Sequence, residues 1–320
     1  MKQKEKLIVI IGPTAVGKTL LSIELAKKFN GEIISGDSMQ IYKGMDIGTA
    51  KIKLEEMEGI PHHLIDIKYP QESFSVAEFQ QLVRDRITEI ASRGKQPMIV
   101  GGTGLYIQSV IYDYHFSDVP SDENFRQRLE RQAKEEGNQF LYEELVRVDP
   151  YGAKNIHPNN LRRVIRALEI FHCTGKTMAD YQEEQSPDLL FDTALVGLTM
   201  ERDVLYTRIN RRVDEMMEQG LLNEVERLFE QDLKGSQSTQ AIGYKELFTY
   251  FDKKITLEEA VEQLKQNSRR YAKRQLTWFR NKMDVEWFDM TEVNTQATLL
   301  KKIAEISTYI EGKLEIKSNT

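Results

Sequence analysis

The sequence predicts an α/β fold: a parallel β-sheet flanked by helices, with a helical block inserted between two of its strands. Three observations carry this prediction. Short continuous apolar runs recur, each too short for a helix, as expected of strands buried on both faces. Segments of helical periodicity separate these runs. At the first strand–helix junction stands a glycine-rich phosphate-binding sequence, GPTAVGKT.

In chain order, residues 7–12 (LIVIIG) read as the first buried strand and Lys18 to Phe29 as a helix with Leu21, Leu25 and Phe29 on its apolar face. GEIISGD (31–37) is a second strand. Ser75 and Glu78 form a capping box that opens a helix to about Arg93. PMIVGG (97–102) is a third strand, and TGLYIQSVIYD starts another helix. From about His115 to Asp192 no buried strand is evident and the pattern is polar and helical; ALVGLTM (194–200) then restores strand character. The expected organisation is a core of residues 1–115 and 193–320, the latter largely helical, with a helical insertion over 116–192. Thr256 and Glu259 make a second capping box before a long helix to about Lys282. VEWFDM (285–290) is a late strand, a final amphipathic helix follows, and the terminal KSNT is expected to fray.

Length and composition narrow the function. A chain of 320 residues fits about two domains, or one with a large insertion. The net charge of −6 excludes a globally basic nucleic-acid binder, so any such binding rests on local patches. The single cysteine, Cys173, rules out an internal disulfide and a multi-cysteine zinc site. The basic-then-apolar N-terminus ends in the phosphate signature rather than a cleavage site. No apolar stretch approaches the ~20 residues of a membrane span. A cytoplasmic monomer, not associated with membranes, is the expectation.

Gly12, Pro13, Thr14, Ala15, Val16, Gly17, Lys18 and Thr19 match GxxxxGK[ST], the loop of ATP- and other nucleotide-binding P-loop folds. Backbone N–H groups and a helix N-terminus converge there on an anion. Lys18 adds a full charge, and the Thr19 hydroxyl is a candidate Mg²⁺ ligand. Such a loop holds a diphosphate whatever the rest of the ligand is. The third strand ends in Gly101-Gly102-Thr103-Gly104 without the carboxylate usual in nucleotide hydrolases, which argues against an ATPase motor. Asp66 is a weak substitute. Asp37-Ser38-Met39-Gln40 follows the second strand, so Asp37 and Thr103 collect at the strand ends beside the phosphate loop.

These residues resemble the tRNA dimethylallyltransferase (tRNA isopentenyltransferase) family, bacterial type. The matches are GPTAVGKT (12–19), SGDSMQIYKGMDIGTAK (35–51), IPHHLID (60–66), GGTGLY (101–106), LRRVIRALEIFHCTGK (161–176) and QAIGYKE (240–246). The resemblance implies a P-loop NTPase-like core and a helical insertion that grips a tRNA anticodon stem-loop. It implies transfer of a dimethylallyl group from dimethylallyl diphosphate to the N6 amine of the adenosine 3′ to the anticodon. By position, residues 14–19 line the diphosphate site, Asp37 is the base, Gln40 lies beside the target nucleotide, and Arg208 holds the leaving pyrophosphate, with Arg211 and Arg212 as neighbours competing for that role. Contacts to tRNA are expected from Asp37, Ser38, Met39, Gln40, Thr103 and Arg126. They are also expected from Leu161, Arg162, Arg163, Val164 and Ile165, and from Gln240, Ala241, Ile242, Gly243, Tyr244, Lys245 and Glu246. The chemistry stands without the resemblance: a neutralised diphosphate leaves an allylic carbon readily, and a carboxylate helps a weakly nucleophilic amine by taking its proton.

Arg162, Arg163 and Arg166 share one helical face, with Glu169 as the main opposing charge. Residues 262–282 carry seven basic side chains and one acid, interleaved with Tyr271, Trp278 and Phe279, which either stack on bases or pack the helix. Such runs are ordinarily solvated faces; two beside a phosphate site favour RNA. His62-His63 lacks the partners of a metal site. His172-Cys173 reads as a helix end capped by Gly175, and Met216-Met217 as core filling. The competing functions are prenyl transfer to free adenine nucleotides, a small-metabolite kinase on the same fold, and an RNA-binding protein with a vestigial P-loop.

Overall fold

The structure, a computed structural model, describes residues 4–113, 122–183 and 188–319. The chain forms two compact units, Met1–Ile111 with Leu189–Thr320, and Tyr112–Asp188. The expected boundary at 115/116 lies outside the described residues.

The first unit is built on six parallel strands: β1 (Lys6–Ile11), β2 (Gly31–Ser35), β3 (His62–His63), β4 (Gln96–Gly101), β5 (Asp192–Thr199) and β6 (Glu286–Asp289), in the order β3-β2-β4-β1-β5-β6. Its helices are α1 (Lys18–Lys28), α2 (Val76–Ser92) and α3 (Gly104–Ile111), then, beyond the second unit, α9 (Arg202–Glu218), α10 (Leu221–Glu230), α11 (Tyr244–Phe251), α12 (Leu257–Lys282) and α13 (Gln296–Leu314). The apolar runs are continuous because both faces are covered. Ile8, Ile10, Ala194, Val196 and Leu198 pack in one cluster with Leu21 and Leu25 of α1 and Ile303, Ile306 and Ile310 of α13. Leu7, Val9, Ile11, Ile34 and Ile99, of the opposite parity, are equally buried, and α2 packs against β2 and β4.

The topology places the site. β1 sits between β4 and β5, and α1 carries the chain past β4 to β2, so the crevice at the carboxyl end of β1 opens where the phosphate loop leaves the sheet. The chain leaves this unit after Ile111 and returns beside it, with the Leu190 N–H donating to the Ile111 carbonyl at 2.9 Å.

The second unit contains α4 (Glu123–Glu136), α5 (Asn138–Val148), α6 (Pro150–Ala153), α7 (Leu161–Thr174) and α8 (Met178–Glu183). Leu129, Leu141, Leu145, Val164 and Leu168 form its core. Gly175 caps α7 in the left-handed region at φ 71°, and Cys173 is exposed.

Three local features differ from what the sequence analysis describes. β3 is a two-residue edge strand, too short to show a period. The Ser75 hydroxyl accepts from the Glu78 N–H, but the Glu78 carboxylate pairs with Lys68 at 2.8 Å, so only half of that capping box forms; both arms form at Thr256 and Glu259. Within the tail expected to fray, the described residues 318 and 319 are bonded: the Asn319 N–H donates to the Lys28 carbonyl at 2.7 Å and the Ser318 N–H to Glu311 at 3.0 Å.

Candidate active site

A cavity of about 820 Å³ opens at the carboxyl ends of β1, β2 and β4. Six cations line it, Lys18, Arg208, Arg211, Arg212, Lys245 and Arg274, against two acids, Asp37 and Glu215. A charge balance of this kind selects an anion.

Lys18 lies at the start of α1, and its ammonium donates to the carbonyls of Gly12 (2.9 Å) and Pro13 (2.7 Å). Burial lowers its pKa to about 7, assisted by the charge of Arg212 and opposed by that of Asp37. Arg212 donates to the Thr14 hydroxyl at 3.5 Å, and its pKa is lowered by burial while Asp37 and Glu215 oppose that shift. Arg208 also lines the cavity, but its guanidinium donates to the Val293 carbonyl at 3.1 Å, and Arg211 is exposed and pairs with Glu215 at 2.7 Å. Of the three arginines expected to compete for the pyrophosphate, Arg212 is the one that bonds the phosphate loop, while Arg208 and Arg211 are engaged elsewhere on the cavity wall.

Asp37 stands just beyond β2. Its Oδ1 accepts from the Met39 N–H at 2.8 Å, closing a tight turn. Among the described residues its Oδ2 has no hydrogen-bond partner, which leaves it available as a proton acceptor. The Thr103 hydroxyl accepts from the Ser38 N–H at 3.2 Å and so joins the ends of β2 and β4. Gln40 lines the cavity, yet both halves of its amide are engaged: Oε1 accepts from the Ser35 hydroxyl at 2.9 Å, and Nε2 donates to the Thr49 and Ala50 carbonyls. Its observed work is holding the loop at 49–50.

That loop has a second anchor, which the sequence did not reveal. Glu224 of α10 is buried and accepts from the N–H groups of Asp46 (2.8 Å), Ile47 (2.8 Å) and Gly48 (3.0 Å), and from the Tyr244 hydroxyl at 2.7 Å. The Tyr244 ring lies so close to Gly48 that a Cβ there would stand 2.6 Å from it. Burial, reinforced by the Glu224 charge, raises the Tyr244 pKa well above the usual phenol range. Of residues 240–246, Gln240, Ala241, Ile242, Gly243 and Lys245 line the cavity. Tyr244 and Glu246 do not offer surface. Glu246 is buried, accepting from the Gly243 N–H and the Asn267 amide, and caps α11.

α12 closes one side of the cavity with Ser268, Tyr271, Arg274 and Gln275. Burial pushes the Tyr271 phenol to about 12. Trp278 packs over Gly104 and is half-buried, and Phe279 is in the core, so Phe279 is not a stacking platform. Arg270, Lys273, Arg274 and Lys282 border a second, shallower groove and make no ion pair among the described residues.

In the second unit, Glu169 is fully buried and accepts from Arg126 Nε (2.8 Å), Arg166 (2.6 Å) and the Asp122 N–H (2.8 Å). Burial raises its pKa, but the bonds from Arg166 and Arg126 outweigh that and hold it below the glutamate range. Arg162 and Arg163 are exposed and make no ion pair among the described residues. Val164 and Ile165 are buried in the core, which corrects the expectation of contacts along all of 161–165: a helix shows one face to a ligand, and these two side chains face inward.

The histidine pair divides. His63 Nε2 bonds Glu32 at 2.7 Å, within a cluster that includes Arg93. His62 lines the cavity, bonds the Ile60 carbonyl through Nδ1 at 2.8 Å, and is shifted below the usual imidazole range by burial. Met216 also lines the cavity instead of filling the core. Among the described residues no group of three or more His, Cys, Asp or Glu could hold a metal ion. A single hydroxyl at Thr19, exposed in the first turn of α1, suits an ion carried mainly by the oxygens of a bound diphosphate and water. No helix is long and apolar enough to cross a membrane, among the described residues.

Residues 40–282 match the family model described as IPP transferase. A tRNA dimethylallyltransferase of Anoxybacillus flavithermus is 64% identical over 98% of this chain and 99% of its own. A solved tRNA isopentenylpyrophosphate transferase of Bacillus halodurans is 55% identical, covers 98% of this chain and 99% of its own, and superposes with a TM-score of 0.73. A solved eukaryotic dimethylallyltransferase acting on tRNA is 34% identical over 99% of this chain and 81% of its own, with a TM-score of 0.83.

Proposed function

Because the chain belongs to the IPP transferase family, we propose that it is a tRNA dimethylallyltransferase, moving a dimethylallyl group from dimethylallyl diphosphate to the N6 amine of the adenosine 3′ to the anticodon. The observation that carries this reading is the cavity in which the charges of Lys18 and Arg212 meet that of Asp37. The loop of residues 12–19 binds the diphosphate, and Lys18 and Arg212 neutralise it. The N6 lone pair forms the new C–N bond as the allylic C–O bond breaks, and the bond electrons leave with pyrophosphate. Asp37 takes the N6 proton. Removal from bulk water strengthens both electrostatic effects. Thr19 would hold Mg²⁺ together with the diphosphate oxygens, and bound there the ion supplies further neutralisation of the leaving group.

Recognition of an anticodon stem-loop draws support from the exposed cations Arg162 and Arg163 and from the cations of α12 that make no ion pair among the described residues. Relatives at 62–64% identity carry the name tRNA dimethylallyltransferase, which favours tRNA over free nucleotides. The test is incubation with dimethylallyl diphosphate, Mg²⁺ and unmodified tRNA, followed by mass analysis of the nucleosides. Prenylated adenosine at that one position is expected. Equal prenylation of AMP, or phosphoryl transfer from ATP to a metabolite, overturns the reading.

A further inference from the structure

We propose that Gln275 is a positioning residue that couples the diphosphate loop to the strand end carrying Thr103, and through Thr103 to the turn that presents Asp37; the proposal rests on the function given above. Gln275 is 6% exposed and reaches the site from α12, an element remote in sequence from both loops. Its Oε1 accepts from the Thr14 N–H at 3.0 Å, and its Nε2 donates to the Gly102 carbonyl at 2.9 Å. One rigid amide thus spans the phosphate loop and the end of β4. The next residue, Thr103, accepts from the Ser38 N–H at 3.2 Å, and Ser38 adjoins Asp37. On the other side, the Thr14 hydroxyl meets Arg212.

The spacing of the glycine-rich segment fits this role. A Cβ at Gly102 would stand 2.1 Å from Gln275 Nε2, and one at Gly104 would stand 2.2 Å from the Trp278 ring. Gln275 and Trp278 are three residues apart and share a face of α12 with Tyr271. The helix therefore seats an amide and an indole in two slots that only glycine leaves open. The amide is suited to its slot because it is neutral and presents a donor and an acceptor together. A carboxylate would accept from Thr14 but repel the Gly102 carbonyl, and an apolar side chain would do neither. Transfer requires the allylic carbon and the amine to meet within a few tenths of an ångström of the right distance, and a 1 Å error costs about 10²-fold in rate.

Full-length wild type, Gln275→Met and Gln275→Glu separate positioning from plain structural support. Each is measured for thermal unfolding, for equilibrium binding of dimethylallyl diphosphate and of unmodified tRNA, and for single-turnover transfer across pH 6 to 8. Gln275→Met is expected to bind both substrates within a few-fold of wild type and to transfer about 10²-fold more slowly per folded molecule. Gln275→Glu is expected to regain rate relative to wild type as pH falls, because protonation gives the introduced carboxyl a donor for the Gly102 carbonyl. Wild-type transfer by folded Gln275→Met, or a pH-independent ratio for Gln275→Glu, overturns the proposal while leaving the function intact. Failure of the wild type itself to prenylate tRNA overturns the function and the proposal together.

Discussion

The Tyr244 hydroxyl donates to Glu224 Oε1 at 2.7 Å, and the same carboxylate accepts three consecutive backbone N–H groups from Asp46 to Gly48. A single buried acid therefore joins α10, α11 and the loop whose carbonyls hold Gln40.

Glu224→Ala leaves the buried Tyr244 hydroxyl without its partner, at a cost of about 1–3 kcal/mol, and releases the half-buried N–H groups of Ile47 and Gly48. The variant should unfold about 3 kcal/mol more easily in denaturant and lose tRNA prenylation. Glu224→Gln, which keeps the shape, should fall between it and wild type. Unchanged denaturation midpoints would show that the loop is held by other means.

Lys18 should make diphosphate binding depend on pH. Its pKa is about 7 in the free protein, and an anion beside it raises that value, so binding takes up a proton above neutrality. Affinity for dimethylallyl diphosphate should fall as pH rises from about 7 toward 9. Lys18→Arg, whose guanidinium stays charged, should keep only the pH dependence of the ligand itself. Calorimetry in buffers of different ionisation heat reads the proton directly; no proton uptake by wild type refutes the assignment.

Arg212 and Arg208 should separate kinetically. Arg212→Ala is expected to lose about 10²- to 10³-fold in single-turnover rate, as when one oxyanion donor is removed. Arg208→Ala should lose much less. The reverse ranking would return the leaving group to Arg208.

Asp37→Asn should bind both substrates and slow transfer by about 10²- to 10⁴-fold. The turn at 37–39 survives in this variant because the amide oxygen still accepts from the Met39 N–H. Transfer at the wild-type rate would reduce Asp37 to a turn residue.

Arg162→Ala with Arg163→Ala should weaken tRNA binding and flatten its salt dependence, by about 0.7–0.9 in log–log slope for each phosphate the two arginines neutralise. Diphosphate binding should not change. Glu169→Ala should act in the opposite sense on charge, freeing Arg126 and Arg166, while destabilising the second unit by about 2 kcal/mol. The Glu169 pKa is depressed in the folded protein. Its stabilisation is thus complete above the ordinary glutamate range and lost as pH falls below it. A salt slope equal to wild type in the double variant removes these arginines from the interface.

The fold was legible because its information is local. Buried parallel strands write themselves as apolar runs, and GPTAVGKT marks the crevice at the end of β1. β3 was missed because two residues have no period. In the site, the place of Lys18 and Asp37 on the cavity wall was readable, because each adjoins a strand end that the apolar runs mark. Glu224 and Gln275 were not: each sits in an amphipathic helix where a polar side chain normally means solvent, and only the tertiary arrangement gives it buried backbone partners. The one available hint for Gln275 was its place between Tyr271 and Trp278 on a single helical face. Arg208 and Arg212 are four residues apart on α9, so sequence offered no basis for choosing between them.

The Leu190–Ile111 hydrogen bond has a further consequence. The chain departs from the sheet and rejoins it at nearly the same point, so to the core the whole segment from Tyr112 to Asp188 is topologically a single turn. Lengthening or replacing such a segment changes closure entropy only logarithmically and leaves every strand register as it was. The second unit is thereby free to diverge, or to be exchanged as a cassette, at a pace the sheet and its phosphate loop cannot follow. A core closed across that gap by a short Gly-rich bridge would keep the cavity beside the phosphate loop and the cations of α12 while losing Arg162 and Arg163.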